Sequence, residues 1–211
     1  MKRPPTLLLL NGELGDPARV RALSAKCRGI VCADGGARHA VRLGIKPRFV
    51  VGDMDSLPPS GPASRKALGN AVYWCDFDEN RSDLEKALDF ILEIGSGPVW
   101  IAGARGGRLD HELVNLALLE RYAGRMDLFL LGDRQDARLL MPGVHRIPFK
   151  KKTVFSLVAV GPSEVSLSGA HYCLRRQTLP PGSRGLSNRA LGPVRLTVHS
   201  GLLWLIAERL A

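Results

Sequence analysis

The feature that most restricts the fold is an alternation of short apolar segments with helix-like patterns over the first two thirds of the chain. Leu7–Leu10, Gly29–Ala33 and Phe49–Gly52 have the length and composition of buried strands. Three later segments have the same character: Val72–Trp74, Val99–Ala102 and Leu128–Leu131. Because a strand followed by a helix is the repeating unit of parallel sheets, we predict a mainly parallel sheet with helices on both faces.

Helical patterns lie between these strands. Helices are predicted at Pro17–Lys26, at Ala37–Leu43 and from about Asp110 to Tyr122. A further helix follows Ser82, because Ser82 and Glu85 have the spacing of a capping box. This helix and the one from about Asp110 are the two well-defined helices, since apolar residues recur at helical spacing in both.

The pattern changes near residues 142–143, where proline and glycine interrupt the chain. Five short apolar segments follow, separated by turn residues and without a convincing helix: Thr153–Val158, Val165–Leu167, Tyr172–Leu174, Arg195–Val198 and Leu202–Ile206. Such spacing is typical of an antiparallel β-sandwich. We therefore predict an α/β domain over residues 1–138, followed by a smaller antiparallel β-sandwich domain over residues 139–211.

Composition excludes several classes of protein. No apolar run reaches the length of a membrane span, so we expect a soluble cytoplasmic protein without a membrane partner. The four cysteines form no C-x-x-C pair, so we expect neither a zinc site nor a disulfide framework. The net charge of +10 suits an anionic partner, such as a nucleotide or a nucleic acid, or merely a solvated basic surface.

Two aspartates, Asp53 and Asp55, directly follow a predicted strand. Alternate residues of an extended segment point the same way, so these carboxylates could share one site. Mg²⁺ prefers such oxygen ligands, and open α/β sheets bind ligands at the carboxyl ends of their strands. Two solvated loop aspartates in Asx turns are the alternative. Asp83, just inside the capped helix, is either a third ligand or an acid that offsets the helix dipole.

Two glycine-containing segments could bind an anion. Asp34, Gly35 and Gly36 follow a predicted strand and precede a helix, where backbone N–H groups are available to phosphate, although a plain tight turn fits as well. The segment from residue 103 to residue 111 places glycines between Arg105 and Arg108, which suits phosphate binding. Its Gly107, Asp110 and His111 could contribute to that site, or Asp110 and His111 could be structural.

A small polar loop near the C-terminus contains Ser187 and Asn188. Together with Trp204, it could hold an aromatic cation by stacking and cation–π contact. A tryptophan packed in the core is the ordinary alternative for Trp204.

In this order, the motifs resemble those of the thiamine pyrophosphokinase family. The matching segments span nearly the whole chain: A-D-G-G-A at 33–37, G-D-M-D-S at 52–56, S-D-L-E-K-A-L at 82–88, G-G-R-L-D-H at 106–111, L-L-M-P-G at 139–143, G-L-S-N at 185–188 and G-L-L-W at 201–204. G-D-x-D-S followed by G-G-R-x-D-H is a specific combination, whereas each piece alone is weak. The chain departs from the family pattern at Asn80 and Arg189, where the family often has acids.

The resemblance implies transfer of a diphosphate from ATP to the hydroxyl of thiamine, with release of AMP, by a homodimer. By motif, Asp53, Asp55 and Asp83 would hold Mg²⁺, and Arg108 would join them in catalysis. Residues around the nucleotide would be Asp34, Gly35, Gly36, Arg105, Gly107, Arg108, Asp110 and His111. Thiamine would contact Ser187, Asn188 and Trp204, and no nucleic acid is expected.

Two other functions are also compatible with the sequence. A diphosphokinase for another hydroxymethyl heterocycle, such as a pterin, would keep the aspartates and arginines without needing Ser187, Asn188 and Trp204. A basic nucleotide- or RNA-binding module without enzymatic activity would account for the net charge of +10.

Overall fold

The structure, a computed structural model, describes residues 3–56, 66–95 and 97–210. The chain divides into two compact units, Met1–Asp133 and Arg134–Ala211. This division lies five residues before the boundary expected between 138 and 139. The reason is strand β7, Asp136–Leu140, which pairs with the strand Leu203–Ala207 and so belongs to the second unit.

The first unit is built on a parallel sheet. Its strands are β1 (Thr6–Leu9), β2 (Gly29–Ala33), β3 (Phe49–Gly52), β4 (Val72–Cys75), β5 (Val99–Ala102) and β6 (Leu128–Leu130). They lie in the order β6-β5-β1-β2-β3-β4, and every neighbouring pair is parallel. All four residues of β1 are buried, so this strand lies at the centre of the core. The carboxyl ends of all six strands therefore meet at one edge.

Helices connect these strands: α1 (Pro17–Ser24), α2 (Ala37–Leu43), α3 (Asp83–Glu93) and α4 (Leu109–Tyr122). The Asp16 carboxylate caps α1 by accepting from the Arg19 N–H at 2.9 Å. The Ser82 hydroxyl caps α3 by accepting from the Glu85 N–H at 3.4 Å, as the capping-box spacing predicts. None of the helices in the described part of the chain has the length and apolar character needed to cross a membrane.

The second unit consists of antiparallel strands. They are β7, β8 (Gly143–Ile147), β9 (Val154–Ala159), β10 (Ser163–Ala170), β11 (Leu174–Leu179), β12 (Asn188–Ser200) and β13 (Leu203–Ala207). One group follows the order β7-β13-β9, and the other follows β11-β10-β12-β8. The long strand β12 joins both groups, because its first two residues pair with β9. The predicted fold class, a parallel α/β part followed by an antiparallel β part, is confirmed.

Four strands of this unit differ from the prediction: β7 and β8 were not expected, and two others have different bounds. The strand expected at Tyr172–Leu174 instead begins at Leu174 and continues to Leu179. Tyr172 lies in a turn, because the Asn188 side chain accepts from its N–H and donates to its carbonyl. Strand β12 begins at Asn188, well before the expected Arg195. Its Gly192-Pro193 pair resembles a turn in sequence, but here it lies within a strand whose pairing shifts register.

Candidate active site

Three elements of the first unit bring acidic side chains to the carboxyl edge of the sheet. Asp34 follows β2, Asp53 follows the neighbouring strand β3, and Asp83 is the first residue of α3. Carboxylate oxygens of these three residues lie within 4.8 Å of one another. This edge is where open α/β sheets bind their ligands.

The Asp34 carboxylate is the most deeply buried of the three, with 1% of the residue exposed. Its Oδ2 accepts from the Ser56 N–H at 3.1 Å. Its Oδ1 is buried and receives no hydrogen bond from the described part of the chain. An unsatisfied buried carboxylate oxygen is unfavourable, and a cation bound at that position would relieve the cost. The oxygen-only donor set fits Mg²⁺.

The pKa values of Asp34 and Asp83 reflect both their burial and the negative charge around them. Burial raises the pKa of Asp83 to about 6, and repulsion by Asp34 and Asp53 contributes, while Lys86 opposes the shift. Burial is also the main reason that the pKa of Asp34 is raised. Asp34 and Asp83 are therefore harder to ionise in this cluster, which is the electrostatic situation that a divalent cation reverses.

The structure brings together Asp53 and Asp83 of the predicted metal site, with Asp34 rather than Asp55 as the third member. The Asp55 carboxylate instead accepts from the Ser56 hydroxyl at 2.9 Å, and the Asp55 N–H donates to Asp53 Oδ1 at 3.2 Å. Met54, between the two aspartates, has a positive φ of 69°. The segment is consequently not a regular extended strand, so the alternation of side chains that predicted a shared direction for Asp53 and Asp55 does not apply.

A sequence signal for Asp34 was available. Asp34 and Asp53 each follow a buried strand directly, and those two strands are neighbours in the sheet. The glycines after Asp34 serve close packing: a Cβ on Gly35 would lie 2.7 Å from the Asn11 side chain, and one on Gly36 would lie 2.7 Å from the Leu9 carbonyl carbon. Both separations are too short for a Cβ: at Gly36 the obstacle is backbone, so a larger residue does not fit, whereas at Gly35 the Asn11 side chain would have to move.

A cavity of 650 Å³ adjoins the cluster, and its wall includes Asp53, Asp55, Asp83, Gly107, Arg108 and His111. The Arg108 guanidinium donates to both oxygens of Asp110, at 3.1 and 2.6 Å, and lowers the pKa of Asp110 to about 2. Both side chains are exposed. The exposed residue Arg105 does not line this cavity, and its backbone carbonyl accepts from the Glu13 N–H.

Arg81 is a residue of this region that no sequence motif indicated. Its guanidinium donates to three carboxylates, those of Asp76 at 2.5 Å, Asp78 at 3.0 Å and Asp89 at 3.2 Å. The Asn80 N–H and side-chain amide also donate to Asp78. These contacts hold the loop that precedes α3 in place and thereby position Asp83, the first residue of that helix. Only the folded structure brings these acids together.

The residues expected to bind thiamine all lie in the second unit. The Asn188 amide nitrogen donates to the Tyr172 carbonyl, and its oxygen accepts from the N–H groups of Tyr172 and Arg189. Trp204 lies on β13 and is 8% exposed. Ser187 is exposed, has a φ of 57°, and its N–H donates to the Ser156 hydroxyl at 3.1 Å.

The family profile described as "Thiamin pyrophosphokinase, catalytic domain" matches residues 20–130, which include all three clustered aspartates. The chain belongs to the thiamin pyrophosphokinase family. This confirms the family that the sequence motifs indicated. Thiamine pyrophosphokinase 1 of Oryza sativa subsp. japonica is similar, with 27% identity over 231 residues that cover 96% of this chain and 87% of the rice protein.

Solved structures of thiamin pyrophosphokinases share the fold. The Bacillus subtilis enzyme superposes with a TM-score of 0.79 at 23% identity, covering 96% of this chain and 98% of the other. The Candida albicans enzyme gives a TM-score of 0.81 at 19% identity, covering 98% of this chain and 90% of the other. At these identities the likeness establishes the architecture.

Proposed function

We propose that this chain transfers the terminal diphosphate of ATP to the hydroxyl of thiamine, forming thiamine diphosphate and AMP. The observation that carries the proposal is the cluster of Asp34, Asp53 and Asp83 in a member of this family, with a buried Asp34 oxygen that lacks a hydrogen bond. An ATP-dependent diphosphotransferase needs such a site, because its reacting groups carry several negative charges.

Asp34, Asp53 and Asp83 would hold Mg²⁺ in this proposal. When bound, the ion neutralises and orients the phosphates of ATP. The chain supplies the rest of the environment: Gly107 and Arg108 line the cavity where phosphate would lie, and His111 lies on the same wall. A guanidinium there can stabilise charge that develops on the transferred group.

In the reaction, the thiamine hydroxyl oxygen would form a bond to the β-phosphorus while the bond from that phosphorus to the AMP oxygen breaks. The hydroxyl loses its proton in the process. Asp55 lines the cavity but lies outside the cluster of three, so we assign its carboxylate as the proton acceptor. The remaining aspartates are then free to bind the cation.

Thiamine is assigned to Ser187, Asn188 and Trp204, and the assembly to a homodimer, on the strength of the family motifs. The buried Asn188 amide would contribute indirectly, by holding the loop that contains Tyr172. The exposed Ser187 hydroxyl is accessible to a ligand. We expect light scattering of the purified protein to give the mass of two chains.

The direct test is an assay with purified protein, Mg-ATP and either thiamine or a hydroxymethylpterin. We expect AMP and thiamine diphosphate in equal amounts with thiamine, and no AMP above background with the pterin. AMP release with the pterin alone would favour the other diphosphokinase. Salt-sensitive RNA binding without any AMP release would favour a nucleic-acid-binding module.

Stabilisation by Mg²⁺ should depend on pH because of Asp83. With its pKa raised to about 6, Asp83 takes up a proton below that pH, and the proton competes with the cation. In the metal-free protein, the stability that protonated Asp83 contributes is lost as the pH rises through about 6. We therefore expect thermal unfolding to show a larger Mg²⁺-induced rise in Tm at pH 8 than at pH 5. An equal rise at both values would contradict the assignment of Asp83.

A further inference from the structure

Lys86 is a buried cation beside the acidic cluster. It lies on α3 three residues after Asp83, so the two side chains share a helix face. Only 3% of the residue is exposed, yet it lines the 650 Å³ cavity. Its charged end therefore borders the cavity while its carbon chain is enclosed by protein.

The ammonium group of Lys86 makes few close polar contacts. Its Nζ lies 3.8 Å from Asp53 Oδ2, which is beyond hydrogen-bond distance. Within the described part of the chain, this is the one carboxylate within 4.0 Å of the group. A lysine ammonium has three donors, so its capacity to bind an anion is largely unused.

Packing does not account for a charge at this position. Burying an ammonium is unfavourable by several kcal/mol unless close partners compensate, and the Asp53 side chain is itself 37% exposed. The neighbouring buried residues of α3, including Leu84, Ala87 and Leu88, are apolar. A methionine would fill the same space without the cost of a charge, which suggests that the charge serves a ligand.

The other cations of the cavity wall are already engaged with acids. The Arg81 guanidinium donates to three carboxylates, and the Arg108 guanidinium donates to both oxygens of Asp110. Lys86 differs because no carboxylate of the described residues lies within hydrogen-bond distance of its ammonium. Among the cations of this wall, the Lys86 ammonium is therefore the one best placed to donate hydrogen bonds to a bound anion.

We propose that Lys86 is a further binding residue of the site, whose ammonium contacts the diphosphate part of the nucleotide that is transferred. This inference rests on the proposed function. The neighbouring Asp53 belongs to the cluster that would hold the cation of Mg-ATP, so phosphates bound to that cation would lie near Lys86. Lysine binds phosphate as a point charge, and the β- and γ-phosphates carry most of the charge of ATP.

The proposal predicts that Lys86→Met discriminates between nucleotides with and without the transferred group. Calorimetric titration with Mg²⁺ and α,β-methylene-ATP, an analogue that cannot be cleaved at the reacting position, should show at least tenfold weaker binding than wild type. Titration with AMP, which lacks the β- and γ-phosphates, should change less than twofold. Lys46→Met is the matched control, because Lys46 is exposed and does not line this cavity.

Unchanged binding of the analogue by Lys86→Met would overturn the proposal, and so would an equal loss for AMP. A change confined to Mg²⁺ binding without nucleotide would also overturn it, since Lys86 would then serve only to balance the aspartates. Thermal unfolding checks that the variant is folded, and Lys86→Gln replaces it if it is not. Failure of the wild-type protein to bind the analogue would instead contradict the proposed function.

Discussion

Replacing Asp83 by asparagine is expected to remove almost all diphosphate transfer while leaving the protein at least as stable as the wild type. The carboxylate belongs to the cluster assigned to Mg²⁺, and losing one such ligand should lower kcat roughly a thousandfold, or about 4 kcal/mol of transition-state stabilisation. Stability should not fall in the metal-free protein, because burial and repulsion already disfavour the charged form of Asp83.

The measurement pairs the rate of AMP release with thermal unfolding in EDTA and in Mg²⁺. Asp83→Asn should lose the Mg²⁺-induced rise in Tm together with its activity. Asp55→Asn is the matched control, because Asp55 lies in the same cavity but outside the cluster, and it should keep the Mg²⁺-induced rise. Near-normal turnover by Asp83→Asn would contradict the metal assignment, and loss of the Mg²⁺ response in Asp55→Asn would favour the ligand set expected from sequence.

The contrast between Asp34 and Asp55 illustrates what the sequence could reveal about the site. Its pattern placed carboxylates at the carboxyl ends of strands, and the structure has Asp53 and Asp34 there on neighbouring strands. The third member of the cluster could be predicted only with knowledge of the backbone conformation at Met54, because its positive φ turns the chain between Asp53 and Asp55. Few non-glycine residues adopt that conformation, so local sequence gave no reason to expect it.

The parallel sheet was predictable because its central strands are buried on both faces and therefore appear as continuous apolar segments, as in β1, whereas the edge strand β4 is exposed. Strand β11 was harder to locate, since four of its residues, Arg175–Thr178, are exposed and polar. The ion pairs of Arg81 depend on acids up to eight residues away that meet only when α3 forms. Short-range patterns therefore predict the sheet better than they predict the contacts that position the site.

Gly36→Ala is expected to destabilise the first unit by about 3 kcal/mol, because the added methyl group would collide with backbone rather than with an adaptable side chain. Its Cβ would lie 2.7 Å from the Leu9 carbonyl carbon and closer still to the carbonyl oxygen. Leu9 belongs to the central strand β1 and is fully buried, so it cannot move aside without disturbing the core. Thermal unfolding should show a fall in Tm of roughly 6 to 12 °C.

Gly44→Ala is the control that distinguishes two causes of destabilisation, a steric collision of the new methyl group and backbone strain at a positive φ. Gly44 ends α2 with a φ of 65°, and a Cβ there would meet nothing within 4 Å, so the variant should lose only about 1 kcal/mol from backbone strain. Gly36 has an ordinary helical φ of −57°, so any larger loss at that position must come from the approach of α2 to β1. Equal unfolding temperatures for the two variants would contradict this explanation, because they would show that a methyl group at Gly36 does not collide with the Leu9 backbone. Because Asp34 lies two residues before Gly36, the same collision should also weaken Mg²⁺ binding in the folded fraction.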